Sequence, residues 1–161
     1  MAKESAGLLL YRVTNGALEV FLVHPGGPFW KKKDEGAWSI PKGEPQPGED
    51  PLATAIREFG EETAATPAGD FHALPAVRQA GGKLVRAWAV EGDLDPRSLV
   101  SNEFEMEWPP RSGKRAHFPE VDRGAWFALD DARSRINQGQ IALLDALQAR
   151  LRDAGAISPA P

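Results

Sequence analysis

No cysteine occurs in the 161 residues. Disulfides and thiolate metal centres are therefore excluded. Histidine is scarce: His24, His72 and His117 stand alone, at spacings that make no zinc motif. Any metal must be held by oxygen or by those histidines, and oxygen donors suit Mg²⁺, Mn²⁺ or Ca²⁺. No Asp-x-Asp-x-Asp-Gly run appears, so an EF-hand is excluded, and the pairs Gly26-Gly27 and Gly81-Gly82 do not belong to a phosphate-binding P-loop. No apolar run approaches the roughly 18 residues of a membrane helix. Met1–Ser5 leads directly into a strand-like segment rather than a signal peptide. The expectation is a cytoplasmic protein with no membrane partner. Excess positive charge is also missing. The net charge of −4 argues against a stable nucleic-acid partner.

Apolar residues make up 42% and charged residues 26%, the proportions of a folded globular chain. The length fits one domain with a proper core, expected over 1–157, with 158–161 a frayed tail. Ala6–Val13 and Leu18–His24 read as antiparallel strands joined at Asn15-Gly16, the strongest short hairpin signal. Trp38–Ile40 reads as a short strand stopped by Pro41. Ala73–Gln79 and Leu84–Val90 flank Gly81-Gly82 as a second hairpin. Glu103–Trp108 alternates, which predicts a strand with Phe104, Met106 and Trp108 facing the core. Ala125–Leu129 reads as a strand, Asp130 and Asp131 as caps of a short helix, and Ile141–Leu151 as an amphipathic helix. Mixed strands with one early and one late helix predict an α/β (α+β) layered domain.

The acidic stretch Gly43–Ala65 organises the chain. A loop rich in Gly and Pro runs into a helix predicted over about Asp50–Thr63. Glu58, Glu61 and Glu62 stand at i, i+3 and i+4, on one helical face. Like charges at that spacing destabilise a bare helix, so a cation is expected beside them. Leu52, Ile56 and Phe59 form an adjacent apolar stripe that can anchor the helix.

These residues resemble the Nudix box: Gly43, Glu49, Arg57, Glu58, Phe59, Glu61 and Glu62 stand at the seven positions of that pattern. Ala64 replaces its second glycine and Ala65 is a weak apolar residue, departures that bear on the helix end and not on the acids. The resemblance implies an α/β/α sandwich with a mixed sheet between helices. It also implies Mg²⁺- or Mn²⁺-dependent hydrolysis of a nucleoside diphosphate linked to another group. By resemblance Glu58, Glu61 and Glu62, helped by the Gly43 carbonyl, hold metal, Glu61 takes part in catalysis, and Glu49 and Arg57 form an ion pair that fixes loop to helix. A catalytic base outside the box is expected at Glu120, with Glu103, Glu105 and Glu107 as rivals.

Trp38–Gly43 resembles the lead-in of members that act on polyphosphates, which points to a nucleoside or dinucleoside polyphosphate. Lys42 and Arg78 are candidate phosphate contacts, and Trp30 beside Lys31–Lys33 a candidate base-stacking residue. An ADP-ribose or nucleotide-sugar pyrophosphatase stays open, as does a non-catalytic nucleotide-binding domain. Monomer and homodimer both stay open.

Overall fold

The structure, a computed structural model, describes residues 3–157. The tail assigned to 158–161 lies outside the described residues. Strands β1 (Glu4–Thr14) and β2 (Ala17–Pro25) form the predicted hairpin. Asn15 and Gly16 both take positive φ, 54° and 77°, as a two-residue type I′ turn requires. Their pairing runs only from the turn to Tyr11 and Val20. Beyond that point the strands splay, and the segment 38–43 fills the gap. Ser39 exchanges both backbone hydrogen bonds with Val23, at 2.9 and 3.0 Å. Leu8 N donates to the Pro41 carbonyl at 3.2 Å. Strand β3 (Lys42–Gly43) pairs with Ala6 and Gly7 of β1. Trp38–Ile40, expected as a strand, makes only isolated bridges to β2 and Ile136. Its backbone wedges between two strands without extending either.

On the other edge of β1 lies β5 (Leu84–Glu91), parallel to it, and then β4 (His72–Arg78), antiparallel to β5. On the far edge of β2 lies β8 (Val121–Ala128). The sheet is thus mixed, in the order β4-β5-β1-β2-β8 with β3 beside β1. Helix α1 (Pro51–Thr63) covers one face, burying Ala55 and Phe59 against Leu8, Leu10, Phe21 and Val23. Helices α2 (Leu129–Arg135) and α3 (Ile141–Asp153) cover the other, where Leu143, Leu144 and Leu147 meet Leu9, Val20 and Leu22. Burial on both faces explains the unbroken run Leu8-Leu9-Leu10 in β1.

Two expectations are corrected. Glu103–Glu107 is a strand (β6), but it pairs with β7 (Arg115–Pro119) in a separate two-stranded sheet. Its Phe104 packs on Phe118, ring centroids 6.1 Å apart, and not into the main core. The partner strand was hidden because Arg115–Pro119 follows a basic turn and carries little apolar alternation. Asp130 and Asp131 lie in the first turn of α2 but make no cap; Ala128 is the capping residue and no side chain caps it. Their contribution is confined to the helix dipole.

At the start of α1 the carboxylate of Asp50 accepts from Leu52 N at 3.1 Å and Ala53 N at 3.3 Å, a helix cap of ordinary chemistry. At its end Ala64 is held left-handed, φ 66° and ψ 13°, while its N–H donates to the Gly60 carbonyl. Cβ–carbonyl crowding penalises that conformation in any residue but glycine. Ala64→Gly should therefore raise the unfolding free energy by about 0.5–1 kcal/mol. A higher urea midpoint with an unchanged m-value would show it; an unchanged or lower midpoint would refute it.

Candidate active site

Arg57 sits at the centre of the loop–helix junction. Its Nε and Nη2 donate to the two oxygens of Glu49 at 2.8 and 2.9 Å. Nη2 also donates to the Glu44 carbonyl at 3.1 Å. Nη1 donates to Glu58 at 2.9 Å and to Glu61 at 3.0 Å. Every N–H of the guanidinium thus has an acceptor. Glu49 in turn accepts from Gln46 N at 3.0 Å and the Thr54 hydroxyl at 2.7 Å. Arg57, the Gln46 amide and Thr54 together hold the Glu49 pKa down at about 2.

Beside this fork three carboxylates converge. Oxygens of Glu58, Glu62 and Glu120 all lie within 4.8 Å of one another. Glu58 and Glu62 stand one turn apart on α1. Glu62 is only 6% exposed. Burial first, then the charges of Glu58 and Glu120, push its pKa up to about 9, against a partial offset from Lys42. Glu58 is raised by burial and then by Glu61, and Glu120 by burial and then by Glu58 and Glu61. Each acid is thus destabilised as an anion by its surroundings, the condition a hard divalent cation relieves. The donor set fits such an ion.

The backbone brings these acids together. Asn102 N donates to the Glu61 carbonyl and Glu120 N to the Asn102 carbonyl, both at 2.8 Å. Gly26 N donates to the Glu120 carbonyl at 2.9 Å. The junction of β7 and β8 is thereby strapped to the end of α1. Gly43 lies against the Glu58 carboxylate so closely that a Cβ there would overlap it. Lys42, its pKa lowered chiefly by burial, lines a pocket of about 160 Å³ together with Ile40, Glu62 and Glu120.

The remaining sequence candidates lie outside the three-acid cluster. Glu61 borders the cluster but is held by Arg57. Arg78 lies at the end of the edge strand β4 and donates to the Gly82 carbonyl of its own turn at 3.0 Å. Trp30 is 41% exposed in the loop after β2, with the Lys33 Nζ 5.1 Å from its ring centroid. Glu105 is paired with Arg115 at 2.8 Å in the separate hairpin. Two supports carried no sequence signal. Gln140, fully buried, accepts from Ile40 N at 3.1 Å and donates to the Ser39 hydroxyl at 2.9 Å, clamping the lead-in. The buried His24 ring joins Asp122 at 2.9 Å and the Lys33 carbonyl at 2.6 Å, tying loop to sheet.

The NUDIX domain family model matches residues 2–147. The chain belongs to the Nudix family. No curated protein matches it. Among solved structures, a Caenorhabditis elegans Ap4A hydrolase binary complex is 25% identical with a TM-score of 0.66, over 92% of this chain and 98% of that one. The NUDIX domain of Shewanella oneidensis NrtR complexed with ADP ribose is 17% identical, TM-score 0.63, over 94% and 89%. A MutT/nudix family protein from Enterococcus faecalis is 16% identical, TM-score 0.63, over 95% and 63%. The latter two establish the Nudix fold alone.

Two outcomes follow from the electrostatics. A carboxylate held at about 2 stabilises the fold above its unfolded value of about 4.5 and loses that contribution as pH falls through its folded value. Arg57→Met should therefore flatten the rise of stability between about pH 2 and pH 4.5, measured by denaturant midpoints; an unaltered slope would remove the fork's role. Glu62 has the opposite sign: its stability contribution is present below about 4.5 and is lost as pH rises through its folded value. In chelator at pH 8, Glu62→Gln should be more stable than the parent by on the order of 1–3 kcal/mol. A lower melting temperature for the variant would contradict the burial of an uncompensated acid.

Proposed function

We propose that this Nudix protein is a Mg²⁺- or Mn²⁺-dependent hydrolase that cleaves a P–O–P link in a nucleoside or dinucleoside polyphosphate. The convergence of Glu58, Glu62 and Glu120 beside Lys42 carries the reading. Glu58, Glu61, Glu62 and the Gly43 carbonyl would hold the ion. When bound, a divalent cation neutralises phosphate charge and lowers the pKa of an attacking water. The water oxygen forms a bond to phosphorus while the bridging P–O bond breaks, and the leaving phosphate departs with the electron pair. Glu120, raised by burial and then by its acidic neighbours, accepts the proton from that water, a better acceptor for the shift. Lys42 presents positive charge to a phosphate oxygen. Arg57 keeps Glu58 and Glu61 in their rotamers, so the acids need no reorganisation during the reaction.

The C. elegans Ap4A hydrolase favours the dinucleoside polyphosphate class, and the S. oneidensis domain bound to ADP ribose keeps ADP-ribose or a nucleotide sugar as the second reading. S. oneidensis NrtR is also complexed with a 27mer DNA, but this chain covers only 68% of that protein, and the net charge of −4 gives no support for a nucleic-acid partner.

Chromatography of NTPs, dinucleoside polyphosphates, ADP-ribose and nucleotide sugars with Mg²⁺ or Mn²⁺ tests the proposal. Turnover should require the cation and fall by roughly 10²-fold or more in Glu62→Gln and in Glu120→Gln. Unchanged turnover in Glu61→Gln and Glu62→Gln together would overturn the metal assignment. No turnover across the panel, with metal binding intact, would favour a non-catalytic nucleotide binder.

A further inference from the structure

A second pocket, of about 630 Å³, lies away from the acids, lined by Tyr11, His72, Arg150, Leu151 and Asp153 among others. Gly7 of β1 pairs with Lys42 at the candidate active site. Tyr11 lies four residues further along, roughly 13 Å at the rise of a strand. It belongs to the core on the α3 face, whereas α1 covers the opposite face. The two pockets are therefore separate.

Three features of this pocket point to a ligand. Tyr11 is 7% exposed, and among the described residues its hydroxyl has no hydrogen-bond partner although the residue lines the cavity. Arg150 pairs with no carboxylate among the described residues; its Nη2 lies 2.7 Å from His72 Nδ1. A guanidinium can only donate, so Nδ1 accepts, and the neutral ring carries its proton on Nε2. That nitrogen becomes a further donor at a residue lining the same space. Burial and then the charge of Glu91 raise the Tyr11 pKa, and Arg150 offsets them in part. Leu151 supplies an apolar floor, and Asp153 an acceptor for a hydroxyl or amine of the same ligand.

We propose that Tyr11, His72 and Arg150 form a binding site for the phosphate or carboxylate group of a small molecule, on the sheet face opposite α1. A planar guanidinium fork, a ring N–H and a phenol are the donors such an oxyanion takes. The site is independent of whether the acids of α1 cleave anything.

Tyr11 is the single tyrosine of the chain, so one labelled ring reports on it. Isotope-labelled tyrosine in the full chain, in chelator, is titrated by NMR with inorganic phosphate and separately with acetate. A saturable shift is expected, and the tighter of the two anions identifies the ligand class. Arg150→Ala, an exposed helix position where alanine is well tolerated, should weaken binding by roughly tenfold or more. Arg150→Lys should weaken it less, and Glu62→Gln should leave it unchanged. A non-saturable response to both anions would overturn the proposal, as would equal affinity in Arg150→Ala with an unchanged melting temperature. Loss of the shift in Glu62→Gln alone would overturn it too, because the response would then belong to the acids.

Discussion

Every N–H of Arg57 is engaged within the loop–helix junction, and the placing of the acids follows from that. One fork fixes the approach loop through Glu49 and the Glu44 carbonyl, and aims Glu58 and Glu61 from the helix. A lysine could not do this: its ammonium has three donors and no fixed plane. The fork also divides the acids by chemistry. Glu49 is matched by its donors and stays charged far into acid. Glu62 lies out of the fork's reach and is pushed the other way by burial. Two carboxylates thirteen residues apart thus have opposite environments, set by which one the guanidinium touches.

Around that junction the sheet supplies rigidity. The splay of β1 and β2 admits Trp38–Gly43, and the wedge is pinned on three sides: by Val23, by Leu8 and by the buried Gln140 amide. A side chain at Gly43 would displace the Glu58 carboxylate, which occupies the space of its Cβ. The same close approach brings Lys42 into the pocket of Glu62 and Glu120. Packing on one element and charge on its neighbour are therefore a single arrangement: Phe59 anchors the helix in the core while Glu58 and Glu62, on adjacent positions of the same turns, meet the wedge.

Much of this was readable in the residues. Hairpin β1–β2, the span of α1 and the apolar stripe all carry local signals, because turn chemistry and helical period act over a few positions. The pairing of Glu49 with Arg57 was implied by the resemblance to the Nudix box, not by spacing alone. What was not readable depends on distant pairing. Strand β7 was hidden by its basic approach and weak alternation, and with it the fact that Phe104 serves the hairpin and not the core. Gln140 looks like any surface glutamine until Ile40 and Ser39 are beside it. Glu120 was picked from its place before the last strand, but its approach to Glu62 depends on the strap through Asn102, which no local pattern announces. Arg78 and Trp30 have suitable chemistry, and the structure places one at the end of an edge strand and the other in the loop after β2, outside the three-acid cluster.

The wedge has one more consequence, for how this scaffold can vary. Its anchors belong to β1, β2 and the turn before α3, and the Gly26 amide is tied to the Glu120 carbonyl. Residues 28–32 therefore hang between two fixed posts, Gly26 at one end and the Lys33 carbonyl on His24 at the other. Within that span Phe29 packs edge-on against Trp108, just past the end of β6, with ring centroids 5.5 Å apart. The loop after β2 and the β6–β7 hairpin therefore have to vary together.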